Sequence, residues 1–194
     1  MQFFIRNTPW KADRRSHVLA GLLLLVQAGL SGCTGEEAPD QELSGCTGQL
    51  LGRLYGGIEA ELNWRKDALE CAGMPRPDDE GARLRFSGSI GDGEQRRHLL
   101  FILALPTLRR GETGAELPAT ITVIEEDAGR FFSNGENPVC WADIDSQQLV
   151  LEPDGYAVSG IAYCVAPLAE LNGSSSVSFA DLRFAGQLSW ARPE

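Results

Sequence analysis

Five cysteines are the residues of this 194-residue chain whose surroundings bear most directly on chemistry. Two of them lie in separate copies of one hexapeptide, LSGCTG, namely Cys33 and Cys46. The other three have unrelated neighbours and are Cys71, Cys140 and Cys164. A thiol can carry a lipid, form a disulfide or bind zinc. The segments around each cysteine decide among these roles.

The two hexapeptides differ in what precedes them. Before Cys33 come the basic segment RNTPWKADRRSH and then VLAGLLLLVQAGL, an apolar run of 13 residues at positions 18–30. A membrane-spanning helix needs about 20 apolar residues, so this run predicts the core of a signal peptide. The segment before Cys46, EEAPDQE, is acidic and polar. Only Cys33 therefore lies at a predicted cleavage site.

Leu30-Ser31-Gly32-Cys33 resembles the lipobox of bacterial lipoprotein precursors. The resemblance implies that the Cys33 thiol receives a diacylglyceryl group, that the chain is cleaved before Cys33, and that its new amino terminus is acylated, palmitate being one such acyl chain. Several acyl chains hold a protein on a membrane far more firmly than one. Position 34 is Thr rather than the Asp that often retains such proteins on the inner membrane, which implies the outer membrane, facing the periplasm.

Four cysteines remain for the exported part, an even number in an oxidising compartment. Three pairings are open, and we favour Cys46–Cys71 with Cys140–Cys164, because each closes a loop of about 25 residues worth about 3 kcal/mol. Zinc is the rival interpretation. It needs closely spaced cysteines or histidines, whereas the mature chain has a single histidine, His98. We therefore expect no metal and no cofactor.

The charge of the exported part limits its partners. The first 32 residues hold four of the 17 basic residues and one of the 27 acidic ones, so the mature chain has a formal charge of −13. Such an acidic surface argues against nucleic acid as a partner. The expected partners are the membrane, through the lipid, and an unknown envelope protein or ligand.

The residue types and their spacing give little support for a catalytic function. Nucleophilic catalysis needs an activated Ser or Cys beside a base, but no Gly-x-Ser-x-Gly elbow is present and Ser159 falls in the middle of a predicted strand. Paired carboxylates could act as acid and base, and the clusters at 125–127 and at Asp143 and Asp145 are the candidates. An acidic protein produces such clusters freely, so we predict no catalytic residues and a protein that is not an enzyme.

One five-residue segment offers a second resemblance. Ser159-Gly160-Ile161-Ala162-Tyr163 is similar to the Ser-Gly-x-x-Tyr signature of periplasmic lysozyme-inhibitor lipoproteins, which are small disulfide-bearing β-barrels. The resemblance implies Ser159 and Tyr163 as binding residues and gives an alternative function, inhibition of a lysozyme-type hydrolase. The same letters also fit an ordinary alternating strand.

Strand patterns dominate residues 49–194. Residues 57–64 and 82–90 alternate apolar with polar side chains, and 98–105 is a continuous apolar run that predicts a strand buried on both faces. Residues 66–81 have the composition of a loop, and residues 107–118 have that of a long exposed loop. We predict an all-β domain, an antiparallel sandwich or barrel of about seven to nine strands. Residues 1–32 are the signal peptide and 33–48 a flexible tether.

Two strand segments are similar to each other. ARLRFSGSI at 82–90 matches ADLRFAGQL at 180–188, with Ala, Leu, Arg, Phe and Gly at the same offsets. This predicts two equivalent strands, each with a buried Phe and a Gly two residues later that admits an aromatic ring or another backbone. Arg85 and Arg183 would be exposed, and a paired binding role for them is the alternative to simple solvation.

A predicted hairpin would bring Cys140 and Cys164 close together. The turn sequence EPDG joins the two cysteine-bearing strands, but the cysteines lie about three residues out of register, which a bulge or a longer loop must absorb. We expect Trp141 in the core and the disulfide nearer the surface, because the indole has the larger apolar area. Taken together, the sequence predicts a lipid-anchored envelope protein whose β-domain binds or assembles rather than catalyses.

Overall fold

The structure is a computed structural model that describes residues 46–77, 80–151 and 155–191. The predicted signal peptide at 1–32, the lipidation site Cys33 and most of the tether at 33–48 lie outside the described residues. The described part belongs to one compact unit, Gln41–Glu194. Among the residues that the structure describes, no helix is long and apolar enough to cross a membrane.

The prediction of an all-β antiparallel domain is confirmed. The described residues form thirteen strands: β1 (Gln49–Gly56), β2 (Ala60–Arg65), β3 (Glu70–Pro75), β4 (Ala82–Ile90), β5 (Arg97–Leu105), β6 (Gly114–Pro118), β7 (Thr120–Glu125), β8 (Arg130–Ser133), β9 (Cys140–Leu151), β10 (Gly155–Cys164), β11 (Leu168–Glu170), β12 (Ser176–Phe179) and β13 (Leu182–Ser189). The predicted count of seven to nine is therefore wrong.

The additional strands lie in segments whose strand patterns are weak. β3 and β6 fall in segments that we predicted as loops, because Gly, Pro and charged residues interrupt their alternation. Three more, β8, β11 and β12, have only three or four residues each. Cross-strand pairing within the sheet holds these segments extended where their own propensity would not.

The strands form a single open sheet in the order β3-β4-β5-β7-β8-β11-β12-β1-β13-β10-β9-β6, with β2 paired to the other edge of β1. The sheet folds over so that its two halves share a core. One half contains β4 and β5, and the other contains β1, β2 and β13. The rings of Phe86 in β4 and Phe184 in β13 lie 5.9 Å apart between centroids. Trp64 of β2 meets Phe101 of β5 edge-on at 5.7 Å. Each half therefore keeps one face towards the core and one face outward.

The similar segments at 82–90 and 180–188 occupy facing positions in this core. Phe86 and Phe184 are both buried, as predicted. Each following glycine also admits an aromatic ring: a Cβ placed on Gly88 would lie 2.6 Å from the Trp64 ring, and one on Gly186 would lie 3.0 Å from the Phe86 ring. Because β4 and β13 pack face to face, the neighbouring Arg85 and Arg183 project from opposite outer faces and cannot form a paired site.

Both favoured cysteine pairs lie at disulfide distance. Cys46 and Cys71 have Cα atoms 5.4 Å apart, and Cys140 and Cys164 have Cα atoms 4.1 Å apart. Cys140 faces Cys164 directly, and two register shifts in the β9–β10 pairing absorb the predicted offset. A bulge adds one residue to one strand, so the extra residues of β9 are Asp145 and Val150.

Trp141 does not enter the core, so that expectation is wrong. Cys140, Ala142 and Ile144 are buried, while Trp141 is half-buried on the outer face. Alternation along β9 places Trp141 on the same side as Asp143. Desolvating that carboxylate would cost more than the indole would gain by burial.

A buried carboxylate joins β5 to β7 and β8. Glu125 is only 2% exposed, and it accepts hydrogen bonds from Arg97 at 2.8 Å and from Arg130 Nε at 2.7 Å. Arg130 also donates to the Gly57 carbonyl oxygen at 3.0 Å. Pairing with two guanidinium groups compensates the desolvation of this charge. Glu125 therefore serves the fold rather than a carboxylate pair for catalysis.

Candidate functional site

The outer face of β1, β13, β10 and β9 carries a contiguous patch of aromatic, aliphatic and arginine side chains. We call this patch the aromatic face; its residues are Leu51, Trp141, Ile161, Tyr163 and Arg183. Strand pairing sets their order, because Leu51 pairs with Arg183, Arg183 with Ile161, and Tyr163 with Trp141. Cross-strand neighbours on one face lie about 4.5–5.5 Å apart at Cβ, so these side chains form one surface.

Two stacked rings form the β9–β10 side of the aromatic face. The centroids of Trp141 and Tyr163 lie 6.3 Å apart, with an interplanar angle of 28°. Both rings are half-buried, so part of each ring remains accessible to solvent. Offset stacking of this kind adds about 0.5–1.5 kcal/mol beyond area burial. The pair is therefore a rigid aromatic platform on the surface.

Asp143 connects this platform to the edge strand β6. Besides the loss of solvent around the ring, the negative charge of its carboxylate raises the pKa of the Tyr163 hydroxyl. Asp143 Oδ1 accepts a hydrogen bond from the backbone N–H of Glu116 at 2.7 Å. Glu116 has a φ of 55°, in the left-handed region that non-glycine residues rarely adopt. The carboxylate thus helps to hold a strained edge against the aromatic face.

The same carboxylates change the ionisation of the tyrosine. Loss of solvent around the half-buried ring raises the pKa of Tyr163 above the ordinary value of 10.0. The negative charges of Asp143 and Glu116 raise it further, and so does the hydrogen bond to Asp143. A phenolate beside two carboxylates is disfavoured by like-charge repulsion. Tyr163 therefore keeps its hydroxyl proton to a higher pH than an ordinary tyrosine does.

Ser159 and Tyr163, the two residues that the sequence singled out for binding, both lie on the outer face of β10. Tyr163 belongs to the aromatic face. The Ser159 hydroxyl lies 2.9 Å from the Ser146 hydroxyl on β9, so it bridges two strands. Neither residue is in a loop, which is where we would expect an inhibitor of a hydrolase to display them.

A shallow depression adjoins the aromatic face on the side of β1 and β2. It has a volume of about 490 Å³, and Leu51 belongs to both surfaces. Arg53 lies over the Tyr55 ring at 5.5 Å from its centroid, and the Tyr55 side chain is 48% exposed. The outer surface of this half of the sheet therefore presents a second exposed aromatic–arginine pair.

A polar cleft of about 440 Å³ lies at the opposite half of the sheet, between the start of β3 and the β4–β5 turn. Its lining includes Asp67, Glu70, Ser87, Asp92, Arg96 and His98. Ser87 donates to the Glu70 carboxylate at 3.2 Å. These carboxylates converge with His98, the only histidine among the described residues, so this cleft is the candidate for enzyme-like geometry.

The cleft does not assemble a nucleophile and base. Ser89 and His98 are cross-strand partners, and His98 Nδ1 lies 2.5 Å from Glu126 Oε2. Among the side chains that the structure describes, however, the Ser89 hydroxyl makes no hydrogen bond to the His98 ring. Asp127 accepts a hydrogen bond from the His98 backbone N–H at 2.6 Å. The acidic cluster at 125–127 is thus engaged in pairing and turn formation.

Two features of the candidate site were not predicted from the sequence. Trp141 was expected inside, and Glu116 was assigned to a loop. The alternation in VCWADI could have revealed the first, because Trp141 shares its phase with Asp143 rather than with Ala142 and Ile144. No sequence pattern marks the pairing of β6 with β9, which brings Glu116 to Asp143.

Comparison with known proteins gives no relative for this arrangement. No protein family, no curated protein and no solved structure matches the chain.

Proposed function

We propose that the chain is a membrane-anchored envelope lipoprotein of a bacterium, exported to the periplasm and held by lipid on Cys33, most naturally at the outer membrane. The lipobox-like segment and the short apolar core before it support this proposal. The cysteine pairing adds independent support. Four of the five cysteines are in disulfides, which indicates an oxidising compartment and leaves Cys33 as the one thiol free for a lipid.

The proposed role of the domain is to bind a protein partner in the envelope through the aromatic face. The observation that carries this role is the Trp141–Tyr163 stack on an open sheet face, with Arg183 exposed beside it. Tyr, Trp and Arg dominate the energetically important centres of protein interfaces. Such rings are rigid before binding, so little conformational entropy is lost when a partner binds to them.

Binding rather than catalysis is proposed because the candidate catalytic groups have structural partners. Glu125 pairs with two arginines, and Ser159 pairs with Ser146. Asp143 accepts a hydrogen bond from the backbone N–H of Glu116. In this proposal the two facing halves of the sheet act as a sandwich-like scaffold whose outer surface presents the partner site.

A photo-cross-linking experiment tests the binding role. A photoreactive amino acid replaces Ile161 at the centre of the aromatic face, and Thr122 on the outer face of the other half is the control position. In the native envelope we expect one discrete protein adduct from position 161 and none from position 122. Trp141→Ala or Tyr163→Ala should reduce the adduct at least tenfold.

Equal adducts from positions 161 and 122 would contradict the proposal. An adduct that persists unchanged in both alanine variants would contradict it as well. Each variant must first give the β-type circular dichroism spectrum of the parent, because a lost adduct has meaning only in a folded domain.

A further inference from the structure

Three consecutive apolar side chains are exposed at the end of the β9–β10 hairpin. Leu149 is 44% exposed, Val150 52% and Leu151 64%. Alternation along a strand normally exposes every second side chain. The register shift between Leu149 and Leu151 makes Val150 the extra residue of a bulge, and a bulge interrupts that alternation. Strand β9 thus ends in three exposed apolar residues, Leu149, Val150 and Leu151, which we call the apolar tip.

The surroundings of the apolar tip combine aromatic rings with arginine. Tyr156 is the cross-strand partner of Leu149. The Arg110 guanidinium lies 5.7 Å from the centroid of the Tyr156 ring, and Arg110 Nε donates to the tyrosine hydroxyl at 3.2 Å. Tyr rings and Arg side chains beside apolar residues are typical of the boundary between lipid and water.

The described chain begins at the same end of the sheet as the apolar tip. Cys46 is joined to Cys71, whose sulfur would lie 3.5 Å from a Cβ placed on Gly186. Ser189, three residues further along β13, pairs with Gly155 at the base of the tip. Measured along the direction of β13, Cys46 therefore lies about 10 Å from the base of the tip.

The position of the predicted lipid limits how far that end can lie from the membrane. Cys33 and Cys46 are separated by 13 positions, and a fully extended chain of that length spans about 45 Å at most. Since the chain leaves the domain at the end that bears the apolar tip, the lipid brings this end towards the bilayer.

We propose that Leu149, Val150 and Leu151 insert into the lipid surface that holds the acyl chains of Cys33. This inference rests on the proposed lipidation. The surface it fits is zwitterionic, because the mature chain has a formal charge of −13 and the next residues include Glu152 and Asp154, which anionic lipids would repel. Insertion fixes the orientation of the domain on the membrane and leaves the aromatic face accessible at its side.

Tryptophan fluorescence in vesicles tests the insertion. The full mature lipoprotein carrying Val150→Trp is reconstituted into phosphatidylcholine vesicles with and without brominated acyl chains. The matched control is Val165→Trp, because Val165 is 74% exposed and follows Cys164 at the other end of β10. The parent protein gives the background of Trp64, Trp141 and Trp190.

We expect the added emission of Val150→Trp to shift to shorter wavelength and to lose at least half its intensity in brominated vesicles, while Val165→Trp loses less than a tenth. Equal quenching of the two variants would overturn the insertion. A shift to shorter wavelength without bromine quenching would also overturn it, because it would show burial against protein.

Mass spectrometry of Cys33 and flotation of the protein with the vesicles are measured on the same samples. Acylated protein that floats but shows no excess quenching at position 150 would sink the insertion and leave the lipoprotein proposal standing. Protein without lipid on Cys33 would sink both.

Discussion

Gly88 lies directly against the indole of Trp64 in the core between the two halves of the sheet. A Cβ on Gly88 would approach Trp64 Cδ2 to 2.6 Å and the Ala68 carbonyl oxygen to 2.8 Å. Trp64 is held in place because its Nε1 donates to the Ser89 carbonyl oxygen at 2.9 Å. The glycine is thus required by the packing of one particular ring.

Gly88→Ala should therefore destabilise the domain by about 1–3 kcal/mol through overpacking. Gly186→Ala is the matched comparison, since its Cβ would meet the far edge of the Phe86 ring at 3.0 Å, and a smaller loss is expected. Urea denaturation of the two variants and the parent gives the free energies of unfolding. A Gly88→Ala domain as stable as the parent would contradict this account of the core.

The Cys140–Cys164 bridge should contribute about 3 kcal/mol to stability by restricting the unfolded chain. The double variant Cys140→Ser/Cys164→Ser should lose that amount in urea denaturation. Cys46→Ser/Cys71→Ser should lose a similar amount, because the separations are 24 and 25 residues. Peptide mapping under non-reducing conditions checks the pairing itself. Recovery of Cys140 linked to Cys46 or Cys71 would be incompatible with the hairpin.

Tyr163 should ionise at higher pH than an ordinary tyrosine. Asp143→Asn removes the nearby negative charge, so it should lower the pKa of Tyr163 towards 10.0. Absorbance of the tyrosinate during an alkaline titration measures this, and Tyr163→Phe identifies the component that belongs to Tyr163. A titration that is the same in Asp143→Asn and in the parent would show that the two groups do not interact.

The raised pKa of Tyr163 also predicts how stability depends on pH. The folded state holds the phenolic proton more tightly than the unfolded state does. The resulting stabilisation is therefore fully present below pH 10.0, the ordinary pKa of tyrosine, and is lost as the pH rises through the higher pKa of the folded state. Asp143→Asn should reduce that alkaline dependence.

Strand alternation was sufficient to predict the class of the fold and part of its core. Residues such as Leu62, Trp64, Phe86 and Phe184 lie inside, as their spacing indicates. Both cysteine pairs could be chosen from loop length and from the turn between β9 and β10. These features depend on local periodicity or on near neighbours in the chain, which the sequence records directly.

The strand count and the composition of the aromatic face depend on long-range pairing. β6 extends because it pairs with β9, and Glu116 reaches Asp143 only through that pairing. Cys140 is buried in place of Trp141 because Trp141 lies on the same face of β9 as the polar Asp143. The apolar area of the indole alone does not reveal the cost of desolvating that carboxylate. No short motif records either relationship.

Palmitate labelling tests the lipid anchor on which the whole account of this protein depends. The parent, Cys33→Ala and Cys46→Ala/Cys71→Ala are expressed from the full-length gene in a bacterial host that is fed labelled palmitate. The double variant removes the second copy of the hexapeptide cysteine without leaving an unpaired thiol, because Cys46 bonds to Cys71. We predict that the parent and the double variant are labelled and that Cys33→Ala is not. Labelling that survives Cys33→Ala, or a parent that takes up no label, would contradict the assignment.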